Sequence, residues 1–212
     1  GMVLAVPKEE SGRAVEIIHA AKDAGPDAVK IQTYTADTIT FNSDAPSFQI
    51  TQGTLWDGIT LDKLYRKAYT PWEWQAELKK AAEEVGLEFF SSPFDFSSVD
   101  FLEELDVPAY KVASFEITDI PLIRKIALLG KPVILATGVA RLADIELAVE
   151  TCRKAGNEDV VLLKCTSAYP TPYGDVNLRT MPSMGETFDC LVGLSDHTMG
   201  SAVAGAAVAL GA

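Results

Sequence analysis

Histidine is nearly absent from this chain: His19 and His197 are the two among 212 residues. Cysteine is scarce as well. Cys152, Cys165 and Cys190 are scattered, odd in number and without C-x-x-C spacing. That excludes a disulfide framework and a structural zinc site, and it predicts a reduced, cytoplasmic setting. No run of 18 consecutive apolar residues occurs, so no transmembrane helix is expected. The first residues lack the basic region of a secretory signal. Positive charge is in deficit: 18 Lys and Arg stand against 30 Asp and Glu, a formal net charge of −12. Nucleic acid and anionic membrane surfaces are therefore set aside as partners. There is no G-x-G-x-x-G turn, which leaves a dinucleotide-binding fold without support.

What is present is an alternation. Short aliphatic runs occupy 28–32, 87–91, 109–113, 132–136, 160–165 and 190–194. Each is short, apolar and followed by polar or turn residues, as strands are. Helix-period segments lie at 12–24, 72–85, 97–105, 121–129, 142–155 and 201–210, several ending before a glycine. Strand and helix alternating six times predict right-handed βαβ units and a parallel sheet. Polar residues recur at the strand ends, which favours a (β/α)8 TIM barrel over an open sheet. MVLAV at 2–6 reads as a remnant of a first strand. Such barrels run to about 250 residues, so 1–212 is expected to be a single, incomplete TIM-barrel catalytic domain without its eighth strand. The stretch from Thr33 to Tyr69 reads as one long irregular segment; Phe41, Phe48 and Trp56 argue that it packs on something, as part of an active-site wall or as a surface excursion closing the barrel's rim.

Lysines interrupt three of the apolar runs: Lys30, Lys111 and Lys164. Side chains alternate along a strand, so Lys30 shares a face with Gln32, and Lys111 lies opposite Tyr110 and Val112. A buried lysine is costly unless paired. Three at strand ends in an acidic chain predict a local anion site. A lysine inside a barrel strand also allows a Schiff base, with Lys111 or Lys164 as the nucleophile. Hydroxyls cluster at the same level: Ser92, Ser114, Thr137, Thr166, Ser167 and Ser195, the composition of a phosphate cradle. Glu116 is either a local capping partner or an acid–base carboxylate. His19 sits on an ordinary helix, whereas His197 follows LVGLSD at a strand end, where barrels keep ligands and acid–base groups. Asp196 could assist it.

In order, VKIQTYTADTIT, FFSSPFD, YKVASFEITDIPLI, KPVILATG, LLKCTSAYPTP with NLRTM, and GLSDHT resemble the sialic acid synthase family. SFEITD and LLKCTSAYP look most like its pseudaminic acid branch. The resemblance implies a (β/α)8 enzyme that condenses phosphoenolpyruvate with an amino sugar, here a 6-deoxy diacetamido hexose. The product is a nine-carbon 2-keto acid, and phosphate leaves by C–O cleavage. It implies a divalent metal, manganese or magnesium, with His197 as a ligand, and a homodimer for the full-length protein. It implies Lys30, Ser92, Lys111, Ser114, Ser167 and Ser195 around phosphoenolpyruvate, and Gln32, Phe94 and Tyr169 near the sugar. Lys164, Thr137, Thr166 and Asp196 join these as substrate-binding candidates, and Lys30, Lys111, Glu116 and His197 are the catalytic ones. N-acetylneuraminate, legionaminate and spore-coat polysaccharide synthases are the near alternatives. A Schiff-base aldolase or an inactive sugar-phosphate-binding fragment is the alternative of another class. Three departures stand out. MVLAVPKEESGRA does not match the family's first strand, Ala136 stands where a serine is common, and the family's second metal histidine and C-terminal antifreeze-like domain are not found.

Overall fold

The computed structural model describes residues 10–51, 53 and 56–212. The strand expected at 2–6 lies outside them. Two compact units divide the chain, one Val3–Val107 and the other holding Pro108–Ala212.

In the first unit the elements are α1 (Ser11–Asp23), β1 (Ala28–Thr33), α2 (Ala36–Ile39), α3 (Leu61–Ala68), α4 (Trp72–Glu84), β2 (Glu88–Pro93) and α5 (Phe96–Glu104). β1 and β2 pair in parallel, with Lys30 opposite Phe90 and Gln32 opposite Ser92. α4 buries Gln75, Leu78 and Ala82, a spacing of three and four that forms one stripe. Asp95 caps α5 by accepting from the Ser97 and Ser98 amides, which leaves the chain free to turn sharply out of β2.

The expectation of an unstructured Thr33–Tyr69 needs correction. It contains α2, α3, a 3₁₀ turn at Pro46–Phe48 and an antiparallel bridge between Gln49 and Thr60. Thr60 Oγ1 accepts from the Lys63 amide at 3.3 Å and so starts α3. Arg66 then spans Asp62, one turn back, and Asp37 on α2. Phe41 and Trp56 are exposed, and Phe41 meets Phe48 edge-on with centroids 6.3 Å apart.

The second unit contains β3 (Tyr110–Val112), α6 (Ile120–Ala127), β4 (Val133–Ala136), α7 (Leu142–Lys154), β5 (Val160–Cys165), α8 (Thr180–Phe188), β6 (Leu191–Ser195) and α9 (Ala202–Ala209). β3 to β6 pair in sequence, all parallel. Tyr110, Val112, Leu135 and Leu162 of the strands and Leu122, Ile123 and Ile126 of α6 are all fully buried. Each such aliphatic side chain contributes about 1.5–3 kcal/mol. Asp119 caps α6 through the Leu122 amide at 3.1 Å, with Pro121 in the first turn where its missing N–H costs nothing. Buried Asn157 donates to the Ala127 and Lys131 carbonyls at 3.2 and 2.9 Å and accepts from the Asp159 amide at 3.0 Å. Its side chain thereby fixes the turn into β5. α8 is absent from the sequence reading. It tolerates Gly185 because a β-carbon there would come within 3.2 Å of Val192 on β6.

Candidate functional site

Strand register decides which strand-end residues can work together. In a parallel pair, partners point to the same side. Lys111 pairs with Ile134, and Ile134 with Val161. Counting by twos along β5 from Val161 brings Cys165 to Lys111's face, and Cys165 pairs with Ser195. Lys164, an odd step away, belongs to the face of buried Val160 and Leu162. Its ammonium donates to the Cys165 carbonyl at 2.9 Å and to Thr166 Oγ1 at 3.1 Å. The expected convergence of lysines therefore does not extend to Lys164, whose hydrogen bonds hold the end of its own strand.

At the end of β3 the chain turns through Ser114–Glu116. Ser114 is buried, and its Oγ accepts from the Gly138 amide at 3.1 Å. A β-carbon at Gly138 would lie in contact with Ser167 Oγ, 2.8 Å from Ser114 Oγ and 3.0 Å from Cys165 Sγ. Glycine here keeps two hydroxyls and a thiol converged on one spot. Thr137 is spent elsewhere: its Oγ1 donates to the Leu163 carbonyl at 2.9 Å.

Lys111 and Glu116 form the ionisable pair of this end. Burial lowers the Lys111 pKa, while Cys165 and Glu116 oppose the shift. Burial pushes the Glu116 carboxyl up to about 6, with Lys111 pulling the other way. Glu116 Oε2 is buried, with no hydrogen-bond partner among the described residues. A carboxyl of this kind exchanges protons near neutrality.

His197 follows β6. Its Nδ1 lies 3.0 Å from the Thr166 carbonyl and 3.9 Å from Cys165 Sγ. A carbonyl only accepts, so Nδ1 carries the proton and Nε2 the lone pair. The Tyr169 ring lies 4.2 Å from the imidazole at 40°, and burial raises the Tyr169 pKa. Asp196 Oδ1 accepts from the Thr198 amide and hydroxyl at 2.9 and 2.8 Å, closing a local turn. A small cleft is lined by Thr166, Thr171, Ser195, Asp196, His197 and Thr198 among others. Among the described residues, no three or more His, Cys, Asp or Glu form a group able to hold a metal ion. His197 is the imidazole that this cleft presents.

In the first unit, Lys30 and Gln32 are exposed on the face they share with buried Ser92. Ser92 Oγ has no hydrogen-bond partner among the described residues. Ser91, on the other face, meets the Thr33 hydroxyl at 2.7 Å, and Thr33 in turn donates to Gln75 Oε1 at 2.9 Å, in a buried network. Phe94 is half-buried beside Tyr34, whose phenol burial pushes up to about 12.

Sequence reasoning passed over Cys165, Gly138 and Thr171. The signal for Cys165 was its place one residue beyond Lys164, but only register reveals which of the two faces Lys111.

A family model described as the NeuB family matches residues 17–212. The pseudaminic acid synthase of Helicobacter pylori is 49% identical over 199 residues, covering 94% of this chain and 58% of that protein. The N,N'-diacetyllegionaminic acid synthase of Campylobacter jejuni is 39% identical over 202 residues, covering 94% of this chain and 60% of that one. Among solved structures, the N-acetylneuraminic acid synthetase of Leptospira borgpetersenii, in complex with citrate, superposes with a TM-score of 0.83 at 28% identity. That match covers 96% of this chain and 66% of that one. The chain therefore spans under two thirds of the length of these relatives. The α/β class with parallel strands holds, and the solved relatives share the fold.

Proposed function

The chain belongs to the NeuB family, and from that premise we propose that the protein is a synthase of the pseudaminic acid type. It joins phosphoenolpyruvate to an open-chain 6-deoxy diacetamido hexose. The observation that carries this reading is the end of β3: a half-buried lysine beside a carboxyl and a glycine-lined pair of hydroxyls. Phosphoenolpyruvate needs cationic and hydroxyl contacts for its carboxylate and phosphate. Lys111 supplies the charge, and Ser114 and Ser167 supply the hydroxyls. Lys30, Ser92, Gln32 and Phe94 keep the roles that the resemblance gives them.

Carbon 3 of the enol attacks the sugar aldehyde, water adds at carbon 2, and the tetrahedral adduct loses phosphate with C–O cleavage. Water addition releases a proton. Glu116, with its unpartnered oxygen and a pKa of about 6, accepts it. Tyr169 lies against His197 and orients the sugar by stacking.

Synthases of this family are metal-dependent in general. The donor set fits a single protein ligand, His197 Nε2, completed by oxygen from substrate. A divalent cation there, manganese or magnesium, would polarise the sugar aldehyde as a Lewis acid. A cytoplasmic homodimer comprising one catalytic barrel domain per subunit completes the proposal. The three free thiols support the compartment. Among the described residues no helix is long and apolar enough to cross a membrane.

The test is phosphate release from phosphoenolpyruvate with each candidate sugar, with mass measurement of the acid formed. Phosphoenolpyruvate labelled with ¹⁸O at its bridging oxygen should deliver the label to phosphate. Silence with every sugar overturns the reading, and preference for an N-acetylmannosamine or legionaminate precursor moves the protein to a sister branch. Borohydride should trap no adduct on Lys111 or Lys164.

A further inference from the structure

We infer that Thr171 is a positioning residue that holds the His197 imidazole as its Nδ1–H tautomer and so aims the lone pair of Nε2 outward. The inference rests on the reading of His197 given above and concerns a residue to which that reading gives no part.

Thr171 is 6% exposed, at the wall of the cleft that His197 lines. Its hydroxyl carries one proton and two acceptors stand within reach, the Ala168 carbonyl at 2.9 Å and the Thr166 carbonyl at 3.2 Å. Its own amide donates to the His197 carbonyl at 2.9 Å. The Thr166 carbonyl stands within reach of two donors, the Thr171 hydroxyl, whose proton it shares with the nearer Ala168 carbonyl, and His197 Nδ1. One threonine grips the histidine's backbone and, through Thr166, the back of its ring. Tyr173 adds a second lace between the same two loops, its phenol donating to the Met199 carbonyl at 2.5 Å. A histidine that must present one nitrogen to an electrophile needs its other N–H engaged by an oriented acceptor. The turn 166–171 is that acceptor, and the Thr171 hydroxyl keeps it wound.

Thr171→Val retains the shape and removes the hydroxyl; Thr171→Ser restores it. The intact chain, labelled with ¹⁵N-histidine, is examined by NMR well above the ordinary imidazole pKa of about 6.5, with circular dichroism as the folding control. Wild type and Thr171→Ser should show His197 protonated at Nδ1, and Thr171→Val a mixture of tautomers. In manganese relaxation titrations, Thr171→Val should bind about tenfold more weakly and Thr171→Ser within about twofold of wild type. A wild-type His197 protonated at Nε2 overturns the inference without any variant. So does a folded Thr171→Val that keeps both the tautomer and the manganese affinity. If wild type binds no manganese while the tautomer still responds to the hydroxyl, the metal role of His197 fails and the positioning role stands.

Discussion

The ends of β3 and β5 both carry a lysine, and they use it in opposite ways. Lys111 stands on the face that also holds Cys165 and Ser195, beside a carboxyl and a pair of converged hydroxyls. Lys164 stands on the face of buried Val160 and Leu162 and donates to its own strand's end. Burial lowers the pKa of both, so depth alone does not separate them. What separates them is whether the ammonium's partners are already supplied by the backbone. A lysine with carbonyl partners is structure. One that feels a nearby carboxylate without such backbone bonds among the described residues is held ready for a ligand.

The largest expected effect comes from exchanging each lysine for alanine. Lys111→Ala should weaken phosphoenolpyruvate binding by at least about 100-fold, the scale of losing one member of a partly buried charge pair. Lys164→Ala should leave affinity within about twofold and instead lower stability by about 2 kcal/mol, about 1 kcal/mol for each hydrogen bond. Calorimetric titration and urea unfolding of both variants separate the two outcomes, and equal losses of affinity would erase the distinction.

A smaller effect should follow from filling the cradle beside Lys111. Gly138→Ala sets a methyl among Ser114, Ser167 and Cys165. Overpacking of about 1–3 kcal/mol corresponds to roughly 5- to 150-fold in affinity if it falls on the ligand. Circular dichroism should remain native while phosphoenolpyruvate affinity drops. Unchanged affinity would mean that the anion binds elsewhere.

The smallest effect concerns Glu116 and runs in opposite directions for stability and activity. Its folded pKa, about 6, is above the ordinary 4.5, so the folded state binds the proton more tightly than the unfolded state does. Stability from this group is intact below pH 4.5 and falls as pH rises through about 6. The loss levels off at about 1–2 kcal/mol. Glu116→Gln should therefore be more stable than wild type at pH 8 by that amount and no more stable at pH 4. The same variant should lose the acid limb of the kcat/KM profile near pH 6. Thermal melts across pH 4–8 check the sign, and a variant destabilised at pH 8 would contradict it.

Much of this was legible in the sequence because the strands are short, aliphatic and bounded by turn residues. β1 to β6 fall within a residue or two of the runs that announced them. α3 was hidden although Leu61, Leu64, Tyr65 and Ala68 fall at helical spacing, because the run is only eight residues long and lies inside a stretch rich in turn residues; its start depends on Thr60 and its hold on Arg66. α8 was hidden by Pro182 and Gly185, which read as breakers. Proline sits in the first turn, and glycine eases a tight approach to Val192 of β6. Among the candidate residues, the face occupied by Lys111 could be read from its own strand. That of Lys164 could not, because parity between strands is a property of register, and register is set by packing across the sheet.

The Arg66 bridge between Asp37 and Asp62 also bears on how this protein can change over generations. It ties α2 to α3, and the Gln49–Thr60 bridge closes a smaller ring within that span. Once the ends of a surface segment are pinned, lengthening the chain between them costs only logarithmically, about 0.6 kcal/mol per doubling. Ala45, Pro46 and Ser47 are exposed inside the tethered span. Insertions and deletions there leave the flanking helices where they are, so this rim can drift in length and composition while the strand ends keep their chemistry.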